Sequence, residues 1–488
     1  MVELHDLTML EQAAAVRRRE VSATDLVDHY LRRIEAYDHQ LGAFVTVTAD
    51  AARMQARAAD EAVAADPDAV PPLHGVPVAV KDLTATRGVR TTLGSAVFAS
   101  FIPSHDDDVV AALREAGTVN LGKTATSEFG NSLYCETELG PPARNPWDLS
   151  CTAGGSSGGA AAATAAGLVA AAQGNDGGGS VRIPAAICGL VGFKPSRGVV
   201  SGGPLGFGAF GLPTHGPLAR TVTDAAALLD AMAVPAPGEP YLPPPRPDGG
   251  YLAAARSGEP GRLRVGRWTA PVLTDVPVDP ACLAAVEHAA AALAAAGHEV
   301  EDVTAPVDPH TAELFETLWW VLALAVPVPP ERERELLPVT RWLRERGREV
   351  TVPRLLVTLA RVQTAVRVGA RRLAGYDLLL SPTIARPQAA VGWFTAAEPA
   401  EDFDRQKRFS PYCAVYNITG QPAVSLPLGA TGGGAPVGVM LAARPGEDAL
   451  LLRVAAQLEQ GSPWTGRHPP QWYGAGSDTV NGGRFRMR

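Results

Sequence analysis

The hydrophobic and polar positions of the chain follow the period of a helix in some stretches and that of a strand in others. Ser22 and Asp25 have the spacing of a capping box, and the apolar residues after them recur on one face of a helix over 24–35. Residues 77–80 form a short apolar run that ends at Lys81, which is typical of a buried strand. Because helices and strands alternate, the pattern predicts an α/β fold.

The alternation continues through the rest of the chain. Helical spacing over 108–116 stops at Gly117, and 118–121 has the character of a strand. Residues 154–179 are rich in glycine, alanine and serine, and the alanine run 160–172 predicts a helix between two glycine-rich loops. Further on, the pattern predicts a strand–helix–strand unit over 263–265, 281–296 and 299–303. It also predicts two more core strands, over 377–380 and 423–426.

Composition narrows the class of protein. The 488 residues carry a formal net charge of −8, which argues against nucleic acid as the main partner because phosphate binding needs a basic surface. The five cysteines are scattered and never spaced as C-x-x-C, so we expect reduced thiols, no disulfide framework and no metal site. The N-terminus lacks the pattern of a secretory signal, and the apolar runs are too short to span a bilayer. We therefore expect a cytoplasmic protein with no membrane partner.

Two short motifs match known patterns without the context that those patterns need. Residues 117–124, GTVNLGKT, fit the phosphate-loop pattern letter for letter, but a predicted helix precedes them and their middle is strand-like, so we reject ATP binding. Residues 154–158, GGSSG, fit the nucleophile elbow around Ser156, although the preceding segment 148–153 looks like a loop and no histidine is marked as a partner. An esterase of the α/β-hydrolase type centred on Ser156 stays open as an alternative.

A longer constellation of motifs is more specific. Three segments carry it, GVPVAVKD at 75–82, GGSSGG at 154–159 and GNDGGGSVRIP at 174–184. At these residues the sequence resembles the amidase signature family of serine hydrolases, and the resemblance spans about residues 5–465. Within that family, the Gly-Asn-Asp start of the third segment is most similar to the 6-aminohexanoate cyclic dimer hydrolases. The resemblance implies a single large mixed β-sheet covered by helices.

The resemblance assigns the chemistry to three residues. It implies that Ser180 is the nucleophile, that Lys81 is the base, and that Ser156 relays the proton between them. It also implies a cis peptide bond between Gly155 and Ser156. Together these residues form a Ser-Ser-Lys triad that makes an acyl-serine intermediate, and no cofactor is needed.

The glycines before the nucleophile are candidates for the oxyanion hole. Amide hydrolysis needs donors for the developing negative charge, and backbone amides without neighbouring side chains can turn toward one oxygen. We expect these donors at Gly177, Gly178 and Gly179. The family usually has a threonine where this chain has Gly177, so the loop gains backbone freedom here.

Lys81 can be interpreted in two ways. A free lysine with a pKa of about 10.4 is protonated at neutral pH and cannot accept a proton, whereas burial lowers the pKa of lysine. The apolar run before Lys81 is consistent with burial. From the residues alone, a surface lysine with an extended side chain is the commoner case at a strand end; the resemblance favours catalysis.

The resemblance also points to residues around the triad. We expect Asp176 and Arg182 to support the nucleophile loop, since a buried pair of opposite charges fixes geometry. A support of the proton relay and a structural hydrogen bond fit Ser157 equally well. We expect substrate contacts at Gly130 and Asn131. Trp319 and Trp320 fit an apolar substrate channel and a plain core position equally well.

The implied organisation is one domain. We expect this domain over 1–475. It begins with a helical N-terminal part at 1–70 and a catalytic core at 71–230. A proline-rich surface loop at 235–250 then leads to the remainder of the sheet with the substrate loops at 251–475. The polar, glycine-rich tail 476–488 is expected to be flexible.

The implied function is hydrolysis of a C–N bond in a small amide, lactam, anilide or carbamate. One alternative within the same family is an acyl transferase or the A-type component of an amidotransferase. We expect a small-molecule amide or carbamate as partner, no nucleic acid, and a homodimer as the assembly.

Overall fold

A computed structural model of the protein describes residues 3–206, 209–234 and 236–473. Its core is one eleven-stranded sheet with the order β1-β3-β2-β6-β8-β7-β12-β13-β11-β9-β10, and β4 pairs with β5 in a separate ribbon. The strands are β1 Phe44–Val47, β2 Pro77–Lys81, β3 Val119–Thr124, β4 Arg144–Asn145, β5 Asp148–Thr152, β6 Ala171–Asp176, β7 Val191–Lys194, β8 Thr214–Ala219, β9 Arg264–Arg267, β10 Glu299–Asp302, β11 Leu378–Pro382, β12 Ala423–Ala430 and β13 Pro436–Ala443. Parallel and antiparallel pairs both occur, so the predicted mixed sheet is confirmed.

Helices cover both ends and the faces of this sheet. They are α1 Met9–Arg17, α2 Ala23–Leu41, α3 Ala49–Ala65, α4 Asp108–Glu115, α5 Gly158–Ala165, α6 Arg182–Cys188, α7 Val222–Met232, α8 Gly250–Arg256, α9 Pro280–Ala295, α10 Thr311–Leu322, α11 Pro338–Arg348, α12 Val352–Arg372, α13 Pro399–Phe409, α14 Ala414–Thr419, α15 Asp448–Gly461 and α16 Pro470–Tyr473. None of the helices in the described part of the chain has the length and apolar character that a membrane crossing requires.

Several local predictions are confirmed. The capping box of Ser22 and Asp25 opens α2, with both of its hydrogen bonds formed. The apolar run before Lys81 is β2, and all of its residues are buried. The predicted strand–helix–strand unit is β9, α9 and β10, whose two strands pair in parallel. In each of these cases the signal lies within a few neighbouring residues.

The alanine-rich stretch 160–172 differs from its prediction. The helix α5 ends at Ala165, and Ala171 already belongs to β6, a strand at the centre of the sheet. This strand is hydrogen-bonded to β2 on one side and β8 on the other. Pairing on both sides therefore overrides the helix propensity of alanine.

The segment 148–153, which was expected to be a loop, is also different. Asp148–Thr152 forms β5 and pairs with β4 through a tight turn at Asn145 and Asp148. The short ribbon lies directly before the glycines that lead to Ser156. The predicted tail 476–488 lies outside the described residues.

Candidate active site

The candidate site lies at one edge of the sheet, where two neighbouring strands end. β2 ends at Lys81 and β6 ends at Asp176, and the two strands run in parallel, so their carboxyl ends meet. The chain leaves β6 through residues 177–179 and reaches Ser180 just before α6. Ser156 lies just before α5. The fold therefore brings the three predicted catalytic residues to one place.

Lys81 is fully buried, with 0% of its surface exposed. Its Nζ lies 2.7 Å from Ser156 Oγ, 3.0 Å from Asn175 Oδ1 and 3.3 Å from the Asn175 carbonyl oxygen. Burial lowers the pKa of Lys81 to about 7, although the Cys135 thiol and the Asp176 carboxylate act in the opposite direction. A lysine in this state can accept a proton near neutral pH, so the surface interpretation of Lys81 does not hold.

Ser156 and Ser180 lie on two chain segments that are hydrogen-bonded to each other. The peptide bond between Gly155 and Ser156 is cis, and the Ser157 amide donates to the Ser180 carbonyl oxygen at 3.2 Å. Ser180 is buried, with 3% of its surface exposed. Ser180 Oγ makes no hydrogen bond to any of the described residues. In particular, it is not hydrogen-bonded to Ser156 Oγ. Catalytic hydrogen bonds often tighten only with substrate.

A buried ion pair holds the nucleophile loop. Arg182 donates to both carboxylate oxygens of Asp176, at 2.8 and 2.9 Å, and both side chains are 0% exposed. Burial by itself would raise the pKa of Asp176, but the Arg182 guanidinium and a hydrogen bond from Asn417 hold that pKa well below its usual range. The pair thus stays charged and fixes both ends of the loop.

One of the three predicted oxyanion-hole donors is already engaged. The Gly179 amide donates to Asp176 Oδ1 at 2.8 Å, so this N–H points back into the loop support. The amides of Gly177, Gly178 and Ser180 have no acceptor among the residues that the structure describes. In this structure the Gly179 amide is therefore not free, whereas the Ser180 amide, which was not predicted as a donor, has no acceptor among the described residues. Glycine content alone does not reveal which N–H groups a carboxylate occupies.

Of the two predicted substrate residues, Gly130 lies against the triad and Asn131 contacts Trp319. A Cβ added at Gly130 would lie 3.4 Å from Ser156 Oγ. The Asn131 carbonyl oxygen accepts from Trp319 Nε1 at 3.2 Å, and a Cβ added at Gly178 would lie 3.5 Å from the Trp319 ring. Trp320 instead packs edge-on against Trp342. Of the two tryptophans, only Trp319 lies at the site.

Around the predicted residue Ser157, the structure adds Asn175, Gln173 and His215, which the sequence did not single out. Ser157 Oγ donates to the Asn175 carbonyl oxygen at 3.3 Å, so Ser157 supports the same residue that contacts the amine of Lys81. Gln173 Oε1 accepts from the Lys81 amide at 3.0 Å, and Gln173 also contacts His215. Asn175 and His215 line a cavity of about 470 Å³. These contacts join β6 to β8, and no motif marks such a pairing.

One group of potential metal ligands occurs in the described ranges, away from the triad residues in the fold. Glu3 and His5 precede α1, and they lie close to His29 of α2. His5 and His29 are hydrogen-bonded to each other at 3.0 Å, and His5 also contacts the Trp472 carbonyl oxygen. These histidines are therefore engaged in holding the N-terminal part to α16.

The mixed sheet and this site together indicate a serine hydrolase of the α/β class in which a buried lysine contacts a serine. Comparison with known proteins points to the same class. Residues 25–452 match the family model described as Amidase. The chain is 36% identical over 484 residues to the 6-aminohexanoate-cyclic-dimer hydrolase of Paenarthrobacter ureafaciens, an alignment that covers 94% of this chain and 95% of the relative. It is 37% identical over 494 residues to the acylamidase of Rhodococcus erythropolis, covering 96% and 98%.

The solved structures agree with the sequence relatives. The structure of a 6-aminohexanoate cyclic dimer hydrolase complexed with its substrate superposes with a TM-score of 0.87 at 32% identity, over 96% of this chain and 100% of the other. The chain belongs to the amidase family, and more particularly to the amidase signature enzymes. It is an amidase, an enzyme that hydrolyses carbon–nitrogen bonds other than peptide bonds.

Proposed function

We propose that the protein hydrolyses a small amide through an acyl-serine intermediate on Ser180. The observation that carries this proposal is the buried amine of Lys81, 2.7 Å from Ser156 Oγ and with a pKa lowered to about 7 by burial. A neutral amine beside one hydroxyl, with a second serine in the adjoining segment, is the arrangement that serine activation requires.

The reaction follows from these contacts in two halves. Lys81 takes the proton of Ser156 while Ser156 takes that of Ser180, and Ser180 Oγ attacks the substrate carbonyl. The amides of Gly177, Gly178 and Ser180 receive the oxyanion, and each such donor contributes about 10²- to 10³-fold in rate. The proton returns through Ser156 to the leaving amine, and water then releases the acyl group by the same route.

The substrate class is proposed from the relatives and the site. Lactams, anilides and carbamates remain candidates beside simple amides, and a cyclic amide oligomer is the most specific of them, because a relative with that named activity matches almost the whole chain. Trp319 against the nucleophile loop gives the site an apolar wall. Gly130 and Asn131 are proposed as substrate contacts.

Organisation, assembly and location are proposals of the same kind. One sheet takes strands from both sides of the proline-rich segment, which supports a single domain over 1–475. All five cysteines are buried and free, which supports a reducing, cytoplasmic environment. A homodimer is proposed without a specific contact to support it.

The esterase alternative centred on Ser156 has less support. Such an enzyme needs a histidine on its nucleophile, whereas the partner of Ser156 Oγ among the described residues is Lys81. For the amidotransferase alternative, ammonia release that depends on a partner protein and ATP would be the distinguishing result.

A fluorophosphonate probe with peptide mass spectrometry tests the assignment of the nucleophile. We expect the label on Ser180 and no label in Ser180→Ala. In Ser156→Ala, the matched control, we expect slower labelling that still occurs at Ser180. Labelling of Ser156 in the unaltered protein would contradict the proposal and favour the esterase.

A further inference from the structure

The orientation of the Gln173 side chain is fixed by its neighbours. Gln173 Oε1 lies 3.0 Å from the Lys81 backbone nitrogen, and a backbone N–H can only donate. The amide nitrogen, Nε2, must then face the other way, where it lies 2.9 Å from the Gly174 carbonyl oxygen and 2.8 Å from His215 Nδ1. Gln173 Nε2 therefore donates to His215.

This contact fixes the tautomer of His215. Since Nδ1 accepts a hydrogen bond, the proton of the neutral ring sits on Nε2. Burial, together with the nearby Lys81 charge, lowers the pKa of His215 to about 4, so the ring is neutral at physiological pH. Nε2 has no hydrogen-bond partner among the described residues, and His215 lines the cavity of about 470 Å³.

The cavity extends to Asn175, the residue whose side chain contacts the amine of Lys81. Asn175 pairs with His215 across β6 and β8, so their side chains lie on one face of the sheet, and Asn175 Oδ1 contacts the amine of Lys81. Leu83 also lines the cavity and would lie 2.7 Å from a Cβ at Gly130, the residue against Ser156. In the proposed mechanism the leaving amine receives its proton from Ser156, so the amine half of the substrate is expected on the side of the triad where Asn175 and Leu83 border this cavity.

Other polar groups of the cavity are already engaged. Asp108 Oδ2 lies within hydrogen-bond distance of Ser201 Oγ, and Glu239 Oε1 accepts from the Gly202 amide. Arg197 donates to the carbonyl oxygens of Gly211 and Asn417, at 2.6 and 2.7 Å. The Nε2–H of His215 is a neutral donor with a fixed direction and no protein acceptor in the described part of the chain.

We propose that His215 binds a hydrogen-bond acceptor on the amine half of the substrate. This inference rests on the proposed function and narrows it. The favoured substrates are amides whose leaving amine carries a second carbonyl group, which would accept from His215 Nε2–H. Because the group is neutral, it binds a carbonyl without attracting or repelling a charged amine.

Two substrates and two variants test this role. The first substrate is an amide of an alkylamine that ends in a dimethylamide, and the second is the amide of the plain alkylamine of equal length. His215→Leu removes the donor, and we expect about a 3- to 10-fold loss of kcat/KM on the first substrate, mostly through KM, with little loss on the second. His215→Gln places an amide N–H near the original Nε2 and should recover much of the loss.

The outcomes separate this inference from the proposed function. An equal loss on both substrates, or a loss confined to a substrate with its extra carbonyl on the acyl half, overturns the role of His215 alone. Failure of the unaltered enzyme to cleave either substrate would count against the proposed function and this inference together.

A measurement on the unaltered protein does not depend on how the variants fold. The chain has ten histidines, and ¹⁵N labelling of histidine resolves their tautomers by NMR. We expect His215 to be neutral at pH ~7 with the proton on Nε2. A proton on Nδ1, or a charged ring at that pH, overturns the inference.

Discussion

Two buried lysines on neighbouring strands show how the surroundings of an amine decide its use. Lys81 ends β2 and Lys123 lies in β3, and both are 0% exposed. Lys123 pairs with Val80, the residue before Lys81, so the two amines point to opposite faces of the sheet. Burial lowers the pKa of both, to about 7 for Lys81 and about 8 for Lys123.

The partners of the two amines differ. Lys123 Nζ donates to the Thr84 carbonyl oxygen and to the hydroxyls of Thr86 and Thr91, the last two at 3.1 and 3.0 Å. Its three donors are therefore satisfied by the loop that follows β2. Lys81 instead contacts Ser156, whose hydroxyl can pass a proton on. The Thr86 and Thr91 hydroxyls donate to backbone carbonyl oxygens, whereas the segment of Ser156 is hydrogen-bonded to that of Ser180. Burial makes a neutral amine available at physiological pH, but a partner hydroxyl beside a second serine makes it useful for catalysis.

Replacing each lysine by methionine should give the largest contrast. Lys81→Met removes the base, and we expect kcat to fall by about 10³-fold or more while the fold is retained. In Lys123→Met, three acceptors lose their donor, and we expect the free energy of unfolding to fall by about 1–3 kcal/mol with kcat changed only a few-fold. Steady-state kinetics and urea unfolding measure the two effects.

The same two variants can also contradict the different roles given to Lys81 and Lys123. If Lys123→Met lost turnover as completely as Lys81→Met while remaining folded, the amine of Lys123 would belong to the chemistry. If Lys81→Met kept full activity, the base would have to be another group.

A smaller effect is expected at Asn175, which contacts the amine of Lys81 through Oδ1. Protonated Lys81 is inactive as a base, so kcat/KM should fall as the pH drops through about 7. Asn175→Ala removes an acceptor that favours the charged amine. We expect this acidic limb to move to lower pH by about one unit. The pH profile of kcat/KM measures the shift.

Thr86→Val is the matched control for Asn175→Ala. It removes an acceptor from Lys123 in the same way and should leave the acidic limb in place. A limb that moves in Thr86→Val, or stays fixed in Asn175→Ala, would show that the profile does not report the protonation of Lys81.

The sequence predicted those features whose signal is local. The strand before Lys81 and the helix that stops before Gly117 are short patterns with clear ends, and both are observed. The phosphate-loop match around Lys123 could be rejected for the same reason, since a strand follows that helix. The recognised motifs also located Ser156 and Ser180, which the fold brings together.

The features that were missed depend on distant parts of the chain. The alanines of β6 were predicted to be helical, because the composition of this segment does not reveal that it pairs with β2 and β8. Gly179 was expected to be a free donor, but the carboxylate of Asp176 accepts from it. His215 became visible only when β8 placed it beside Gln173.

The most direct test of the account is the titration of Lys81 itself. The chain contains only four lysines, so ¹³Cε labelling of lysine gives four signals, and the one lost in Lys81→Met is identified. Lys194 is also buried with its pKa lowered to about 7, which makes this assignment essential. We expect the Lys81 signal to titrate with a midpoint near pH 7 that matches the acidic limb of kcat/KM. A Lys81 amine that stays protonated up to its ordinary pKa of about 10.4 would contradict it.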